Sequence, residues 1–128
     1  MTNLLTYEEL KNRLGSYYGT ERYYKFSLLS SAVMTDGVKY FCDTCSCYWL
    51  IDNIFIKGLQ KVANDYSFLI LFIKVSKKGN VKVTVKEDSG EDMPVLFSMK
   101  GKDLLNIIPS GEYKLYYINN VLLLPSEY

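Results

Sequence analysis

The sequence predicts an α+β fold: an antiparallel sheet of four to five strands packed against one long apolar helix, with a short N-terminal helix. Two patterns carry this prediction. Apolar side chains recur at helical spacing from Thr35 to Phe55, and Val81–Lys86 alternates strictly between valine and polar residues. Both periods occur within 128 residues, a common size for one domain. We therefore predict a single domain spanning residues 1–128.

The short N-terminal helix is predicted over Tyr7–Tyr17. Thr6 and Glu9 form a capping box, in which the threonine hydroxyl accepts from the Glu9 backbone and the glutamate side chain returns to the cap. Leu10 and Leu14 continue an apolar stripe at helical spacing, so one side of this helix should face the core.

The long helix is predicted to begin after Thr35, a good N-cap, and to stop at Gly58. Asp36 places a negative charge at the positive end of the helix dipole. Apolar residues fill two sectors, so the helix should be buried on most of its circumference, under a sheet and another element or at a subunit interface. The main face carries Val38, Phe41, Cys42, Cys45, Tyr48, Trp49, Asp52 and Ile56, and the second sector carries Tyr40, Cys47, Ile51 and Ile54.

Strand signals fill most of the remaining chain. The clearest hairpin joins Tyr66–Val75 to Val81–Lys86 through a turn at Lys77–Asn80, with valines inward and lysines outward. Short turns favour antiparallel pairing and leave no room for parallel crossovers. Further expected segments are a partly extended Arg22–Met34, an acidic turn at Glu87–Asp92, a strand at Val95–Met99, and a hairpin of Glu112–Ile118 with Val121–Leu124 around Asn119 and Asn120.

Charge and composition exclude several classes of function. Fifteen Lys and Arg against 14 Asp and Glu leave a net charge of +1, so the chain has neither a general field for nucleic acid nor the acidity of a DNA mimic. The N-terminal residues lack the features of a secretory signal, and the longest apolar run is far shorter than the ~20 residues of a membrane helix. Three cysteines suit a reducing compartment, so we expect a cytoplasmic protein with no membrane partner.

Cys42, Cys45 and Cys47 suggest a metal site, because zinc and iron–sulfur centres use closely spaced thiolates. A closed site needs a fourth ligand, and the chain has neither a fourth cysteine nor a histidine. On a helix Cys47 also points away from the other two, so we interpret all three as packing residues and expect no metal and no cofactor. The absence of histidine removes the usual general base and favours a non-enzymatic protein.

Two carboxylates stand out as candidate binding groups. Asp36 is explained well by helix capping, whereas Asp52 lies in the middle of the apolar helix face, where a charge is costly unless it is hydrogen-bonded. Asp52 is therefore either a structural acceptor or a group that faces a ligand. Trp49 on the same face, with Glu127 and Tyr128 at the C-terminus, completes the set of candidate binding residues.

The many lysines and tyrosines each have two interpretations. Lys74, Lys77, Lys78, Lys82 and Lys86 form a basic hairpin face, which can contact phosphate or protect a strand edge from aggregation, and we favour edge protection. Twelve tyrosines, one tryptophan and six phenylalanines indicate either a protein interface or an aromatic core.

Four segments together resemble an uncharacterised family of small bacterial and phage-borne proteins: Gly19–Glu21, Thr35–Tyr40, Tyr48–Asp52 and Val121–Tyr128. The resemblance implies a compact domain of bacterial or mobile-element origin and assigns no catalytic residue. In that family small residues such as alanine stand where this chain has its three cysteines, which weakens the metal interpretation further. Met93–Pro109 fits the family pattern least well.

These observations lead to three ranked hypotheses. The first is a non-enzymatic protein-binding module, an accessory, inhibitor or anti-defence factor of a phage or mobile element in the bacterial cytoplasm, with a protein partner or a second copy as its ligand. The second is a small-ligand-binding protein or carboxylate-dependent enzyme, with Asp52 and Trp49 lining a pocket that Glu127 or Tyr128 closes. Nucleic-acid binding through the lysine hairpin ranks last.

Overall fold

The computed structural model describes residues 5–25, 32–87 and 93–128. Within these residues the fold is α+β, and helices pack on one face of a seven-stranded mixed sheet. The strands are β1 (Tyr24–Lys25), β2 (Val33–Met34), β3 (Phe68–Val75), β4 (Asn80–Lys86), β5 (Phe97–Lys102), β6 (Gly111–Ile118) and β7 (Val121–Leu123). Their order across the sheet is β1-β2-β7-β6-β3-β4-β5.

The sheet has more strands than predicted and is not wholly antiparallel. The predicted hairpins β3–β4 and β6–β7 are confirmed, and Asn119 and Asn120 both take positive φ, at 48° and 67°, as a tight two-residue hairpin turn requires. The exclusion of parallel pairing was wrong, because β2 runs parallel to β7 with Val33 opposite Val121. β2 and β7 are far apart in the chain, so the segment between them is long enough to allow parallel pairing.

Two predicted segments fall partly outside the described residues. Of the segment Arg22–Met34, predicted to be partly extended, the described parts include β1 and β2, and residues 26–31 lie outside. The predicted acidic turn Glu87–Asp92 lies outside except for Glu87.

The first helix, α1, spans Tyr7–Leu14 and ends earlier than predicted. Its capping box is confirmed: the Glu9 backbone N–H donates to the Thr6 hydroxyl at 3.1 Å, and the Thr6 N–H donates to the Glu9 carboxylate at 3.2 Å. Leu10 is fully buried, and the Tyr7 hydroxyl donates to the carbonyl of Glu112 at 2.7 Å. These contacts fix α1 against β6.

The predicted long helix is in fact two helices. The first, α2, spans Asp36–Cys45, and the second, α3, spans Tyr48–Ile54. Ser46 lies between them in the left-handed conformation, with φ 49°. Helical turns then continue past the predicted stop, through a π-helical segment at Phe55–Leu59 and a final turn at Gln60–Val62.

The change of direction at Ser46 lets the fold cover most of the second apolar sector. Cys47, Ile51 and Ile54 are 0%, 2% and 1% exposed, while Val38 and Phe41 of the main face are also buried. A single straight helix could not turn both sectors toward one sheet. These residues are therefore buried within the fold without an external partner.

Gly58 lies inside the π-helical segment and does not end the helix. A Cβ at this position would lie only 2.1 Å from Cε1 of Phe97 on β5. The glycine therefore allows close packing between helix and sheet, and the prediction of a helix stop here was wrong.

The sheet has an inner face that packs on the helices and an outer face that points the other way. Val81, Val83 and Val85 point inward and are buried, as their alternation predicted. Their cross-strand neighbours complete the inner face, which includes Leu71, Ile73, Val75, Tyr113 and Leu115. Among the described helices, none is long and apolar enough to cross a membrane.

Candidate functional site

The outer face of β3, β4, β5 and β6 is strongly basic. Lys82 on β4 lies directly between Lys74 on β3 and Lys100 on β5, and we call these three residues the lysine row. Glu112, the acidic residue of these four strands, pairs with Lys74 at 3.2 Å. The outer-face lysines are Lys74, Lys82, Lys86, Lys100, Lys102 and Lys114.

The lysine row is unfavourable for the free protein. Like charges directly opposite each other on neighbouring strands destabilise a sheet. The Lys74–Glu112 ion pair offsets part of this cost, and because these side chains are about 70% exposed, solvent weakens attraction and repulsion alike. A row of like charges on interior strands breaks a local rule of sheet stability, which makes this face a candidate functional surface.

Edge protection does not account for the row. β4 lies between β3 and β5, and β3 lies between β6 and β4, so Lys74 and Lys82 occupy interior strands. Among the described strands, β1 and β5 are the edges of the sheet, so of the outer-face lysines only Lys100 and Lys102 lie on an edge strand.

Aromatic side chains adjoin the lysines on the same face. Phe68 and Tyr116 lie 5.1 Å apart between ring centroids, and Tyr128 meets their rings edge-on at 5.6 and 5.7 Å. Tyr128 is 77% exposed. Phe72 lies further along β3, half-buried, between Thr84 and Lys114. Tyr128, a predicted binding residue, thus belongs to this surface.

Two clefts adjoin Phe72. The first, of about 300 Å³, runs over the outer face and is lined by Lys74, Lys82, Thr84 and Lys86. The second, of about 420 Å³, extends from Phe72 past β6 toward α1 and the C-terminal turn. Phe72 is therefore a ring set between two depressions rather than a flat part of the sheet.

The predicted binding residue Asp36 makes hydrogen bonds that join the beginning of α2 to the segment before it. The Glu21 backbone N–H donates to its carboxylate at 2.9 Å, and its own N–H donates to the Thr20 hydroxyl at 2.9 Å. The bond from Glu21 is the main cause that lowers the pKa of Asp36, with further hydrogen bonds from Tyr24 and Thr20. Asp36 therefore fastens the segment before β1 to the beginning of α2.

Glu127 fastens the other end of the chain to the same helix terminus. Its carboxylate accepts from the Thr35 hydroxyl at 2.5 Å, from the Gly37 N–H at 3.2 Å and from the Leu124 N–H at 3.0 Å. A Cβ on Gly37 would lie 2.6 Å from the Glu127 carboxylate. Three of the segments quoted for the family resemblance thus meet at one structural junction.

Trp49 and Asp52 do not join Glu127 or Tyr128. Trp49 is half-buried on α3, beside Gly101 of the edge strand β5, whereas Glu127 lies at the start of α2 beyond β7. Asp52 is half-buried, and burial raises its pKa. Neither Trp49 nor Asp52 lines the two clefts at Phe72.

The three cysteines pack in the core as free thiols. Cys47 lies against the Phe41 carbonyl, with its sulfur 3.8 Å from that oxygen, and hydrogen bonds with Cys42 and Cys45 are the main cause that raises its pKa. Within residues 5–25, 32–87 and 93–128, no group of three or more acidic, cysteine or histidine side chains is arranged to hold a metal ion.

These features define a class of protein: a small α+β domain that leaves one basic and aromatic face of a mixed sheet unoccupied by its described helices. The chain belongs to the family of unknown function DUF6876, whose family model matches residues 8–128. Membership of a family of unknown function was predicted from the sequence and is confirmed. No curated protein and no solved structure matches the chain.

Sequence reasoning missed half of the outer-face lysines. The basic hairpin included Lys74, Lys82 and Lys86, but not Lys100, Lys102 and Lys114. The signal was present, because lysine alternates with inward residues in Phe97–Lys102 as it does in β4. The missing information was the register, which places these lysines beside the hairpin.

Proposed function

We propose that the chain is a non-enzymatic nucleic-acid-binding module whose contact surface is the outer face of its sheet. The observation that carries the proposal is the lysine row, in which Lys74, Lys82 and Lys100 lie directly opposite one another on adjacent strands. These charges repel in the free protein, and a polyanion laid across them turns the repulsion into attraction. The net charge of +1 does not oppose this, because the basic charge is local.

A phosphate backbone fits this face better than a protein surface does. Protein interfaces are depleted in lysine and enriched in arginine and aromatic residues, whereas lysine is a common point-charge partner of phosphate. The phenylalanine and tyrosine side chains of this face suit either partner, so the lysines decide the comparison. Arg13 and Arg22 lie outside these strands, and so does Trp49. From the sequence alone, nucleic-acid binding ranked last of the three hypotheses. Six lysines share one face, and they come from four strands and not from one hairpin, so we now rank it first.

The proposal is tested by binding of a fluorescein-labelled single-stranded oligonucleotide about 12 nucleotides long, followed by fluorescence anisotropy. If all six outer-face lysines contact phosphate, the slope of log K against log salt is about −4 between roughly 50 and 200 mM salt. Replacing the lysine row (Lys74→Gln, Lys82→Gln, Lys100→Gln) should reduce the slope to about −2, because three phosphate contacts are lost.

A matched control makes the same change in net charge elsewhere. Lys25, Lys57 and Lys61 are exposed and lie outside β3–β6, so their replacement by glutamine should leave both slope and affinity nearly unchanged. Equal losses in the two triple variants, or no binding by the wild-type chain at low salt, would contradict the proposal.

A partner protein remains a second candidate, favoured by one surface feature. Leu104 and Leu105 are 80% and 75% exposed on a turn that is itself well anchored. The buried Asp103 accepts from the Ile108 N–H at 2.7 Å and donates its own N–H to the Gly79 carbonyl at 2.7 Å. An ordered turn that presents two adjacent leucines to water suits a protein contact.

The simplest such partner is a second copy of the chain. In sedimentation velocity, the wild-type chain should then self-associate with increasing concentration, and the double variant Leu104→Asp, Leu105→Asp should stay monomeric. A wild-type chain that sediments as a monomer throughout would remove the second copy as the partner.

The other predicted roles have less support. The apolar helix, which first motivated a protein-binding module, is largely covered within the fold. A small-ligand or enzymatic pocket at Trp49 and Asp52 lacks the predicted closure by Glu127 or Tyr128. An accessory, inhibitory or anti-defence role and a phage or mobile-element origin stay predictions.

A further inference from the structure

We infer that the outer face binds single-stranded rather than double-stranded nucleic acid, with unpaired bases stacked on aromatic side chains of β3 and β6 and on Tyr128. This inference rests on the proposed function, and it deepens it by naming the form of the ligand. The lysine row accounts for a phosphate backbone alone. The aromatic rings beside it require a separate explanation.

The aromatic rings lie on the same outer face of the sheet as the lysines. The outward positions of β3 run from Phe68 through Ile70 and Phe72 to Lys74, so the face changes from apolar to basic along a single strand. Tyr116 lies opposite Ile70 and makes a 5.1 Å centroid contact with Phe68. Aromatic rings and charges thus lie side by side on one surface.

Two lysine ammonium groups lie close to the rings. The Lys86 Nζ lies 6.0 Å from the ring centroid of Phe72, and the Lys114 Nζ lies 5.5 Å from that of Tyr116. Each ammonium group lies over its ring, so a base that stacks there displaces the lysine from the ring and leaves it free to contact the adjacent phosphate. Base stacking combined with a basic track is the general design of surfaces that bind single strands.

A duplex cannot use this arrangement. In a double helix the bases stack on each other, and their faces are closed to protein side chains. An open sheet can stack only on bases that are splayed out from a single strand. Duplex binding would use the lysines and would leave Phe72 and Tyr116 without a role.

The experiment compares a single-stranded DNA of about 12 nucleotides, the RNA of the same sequence and the matched DNA duplex, on three single variants. Phe72→Leu keeps an apolar side chain and removes the ring. Tyr128→Ala removes an exposed ring without disturbing the core. The control is Phe97→Leu, the same substitution on the inner face of the sheet, where Phe97 packs against Gly58.

Phe72→Leu should weaken single-strand affinity roughly tenfold, and Tyr128→Ala should weaken it severalfold, since each ring holds one base. Duplex affinity should be lower than single-strand affinity in the wild-type chain and insensitive to both variants. Phe97→Leu should alter neither. Whichever of RNA and DNA binds tighter identifies the sugar that the face prefers.

Failure of the single-strand inference and failure of the proposed function would give different results. If the duplex binds as tightly as the single strand, or if Phe72→Leu and Tyr128→Ala behave like Phe97→Leu while salt-dependent binding persists, the single-strand inference is overturned and the proposed function stands. If none of the three nucleic acids binds at low salt, both are overturned. Because Tyr128 is exposed, its variant gives a result even if Phe72→Leu fails to fold.

Discussion

Two groups of charged residues in this chain have opposite effects on stability. Asp36 and Glu127 accept several hydrogen bonds at the beginning of α2 and hold three parts of the chain together. Lys82 has lysines on both sides and repels them. The first group stabilises the fold, and the repulsion within the second destabilises it.

The role of Asp36 predicts a specific dependence on pH. Hydrogen bonds, first of all from the Glu21 N–H, lower the pKa of Asp36 in the folded chain, so its ionised form stabilises the fold above the ordinary carboxyl pKa of about 4. This contribution is lost as the pH falls through the lowered pKa. Asp36→Asn should therefore be less stable than wild type near neutral pH, and the difference should shrink as the pH falls below about 4.

Denaturant unfolding of both proteins at several pH values measures this difference directly. The pKa of Asp43 is also lowered, chiefly by the Tyr48 hydroxyl, but that effect is common to both proteins and cancels. A stability difference that stays constant across the range would mean that the carboxylate charge of Asp36 is irrelevant to the junction.

Elements were predictable where their signals are local. The capping box at Thr6 and Glu9, the cap at Thr35 and the turn at Asn119 and Asn120 each depend on residues within one turn of one another, and each is confirmed. Such signals need no knowledge of the rest of the chain. Element types and positions are therefore mostly right, with ends displaced by a few residues.

The helix break at Ser46 was not predictable in this way. The periodicity of Thr35–Phe55 fits one straight axis, and a serine in the left-handed conformation has no strong sequence signal. The break is favoured by burial of Cys47, Ile51 and Ile54 against the rest of the fold. Gly58 was misinterpreted for the same reason, because its contact with Phe97 is distant in sequence.

At the scale of the whole molecule, the sequence predicted the fold class and missed the topology. β1 and β2 are two-residue strands, and the parallel pairing of β2 with β7 joins residues far apart in the chain. The same limit hid the candidate site. Which lysines share a face is decided by the register of β3 with β6 and of β4 with β5, and no local pattern carries that information.

If the outer face binds a polyanion through lysines that repel one another in the free protein, Lys82→Glu should alter both stability and binding. A glutamate between Lys74 and Lys100 turns two repulsions into attractions, so the variant should gain about 0.5–1 kcal/mol in the free energy of unfolding and roughly 2–4 °C in Tm. The same change places a negative charge under the phosphates. It should reduce single-strand affinity at least tenfold, because one attractive charge contact becomes repulsive.

The decisive measurement is therefore the thermal midpoint and the oligonucleotide affinity of Lys82→Glu, made side by side with Lys57→Glu, which changes the same charge on an exposed helical residue. The account predicts that Lys82→Glu melts higher and binds more weakly than wild type, while Lys57→Glu leaves binding nearly unchanged. A Lys82→Glu chain that melts lower than wild type, or that binds nucleic acid as tightly, would contradict it.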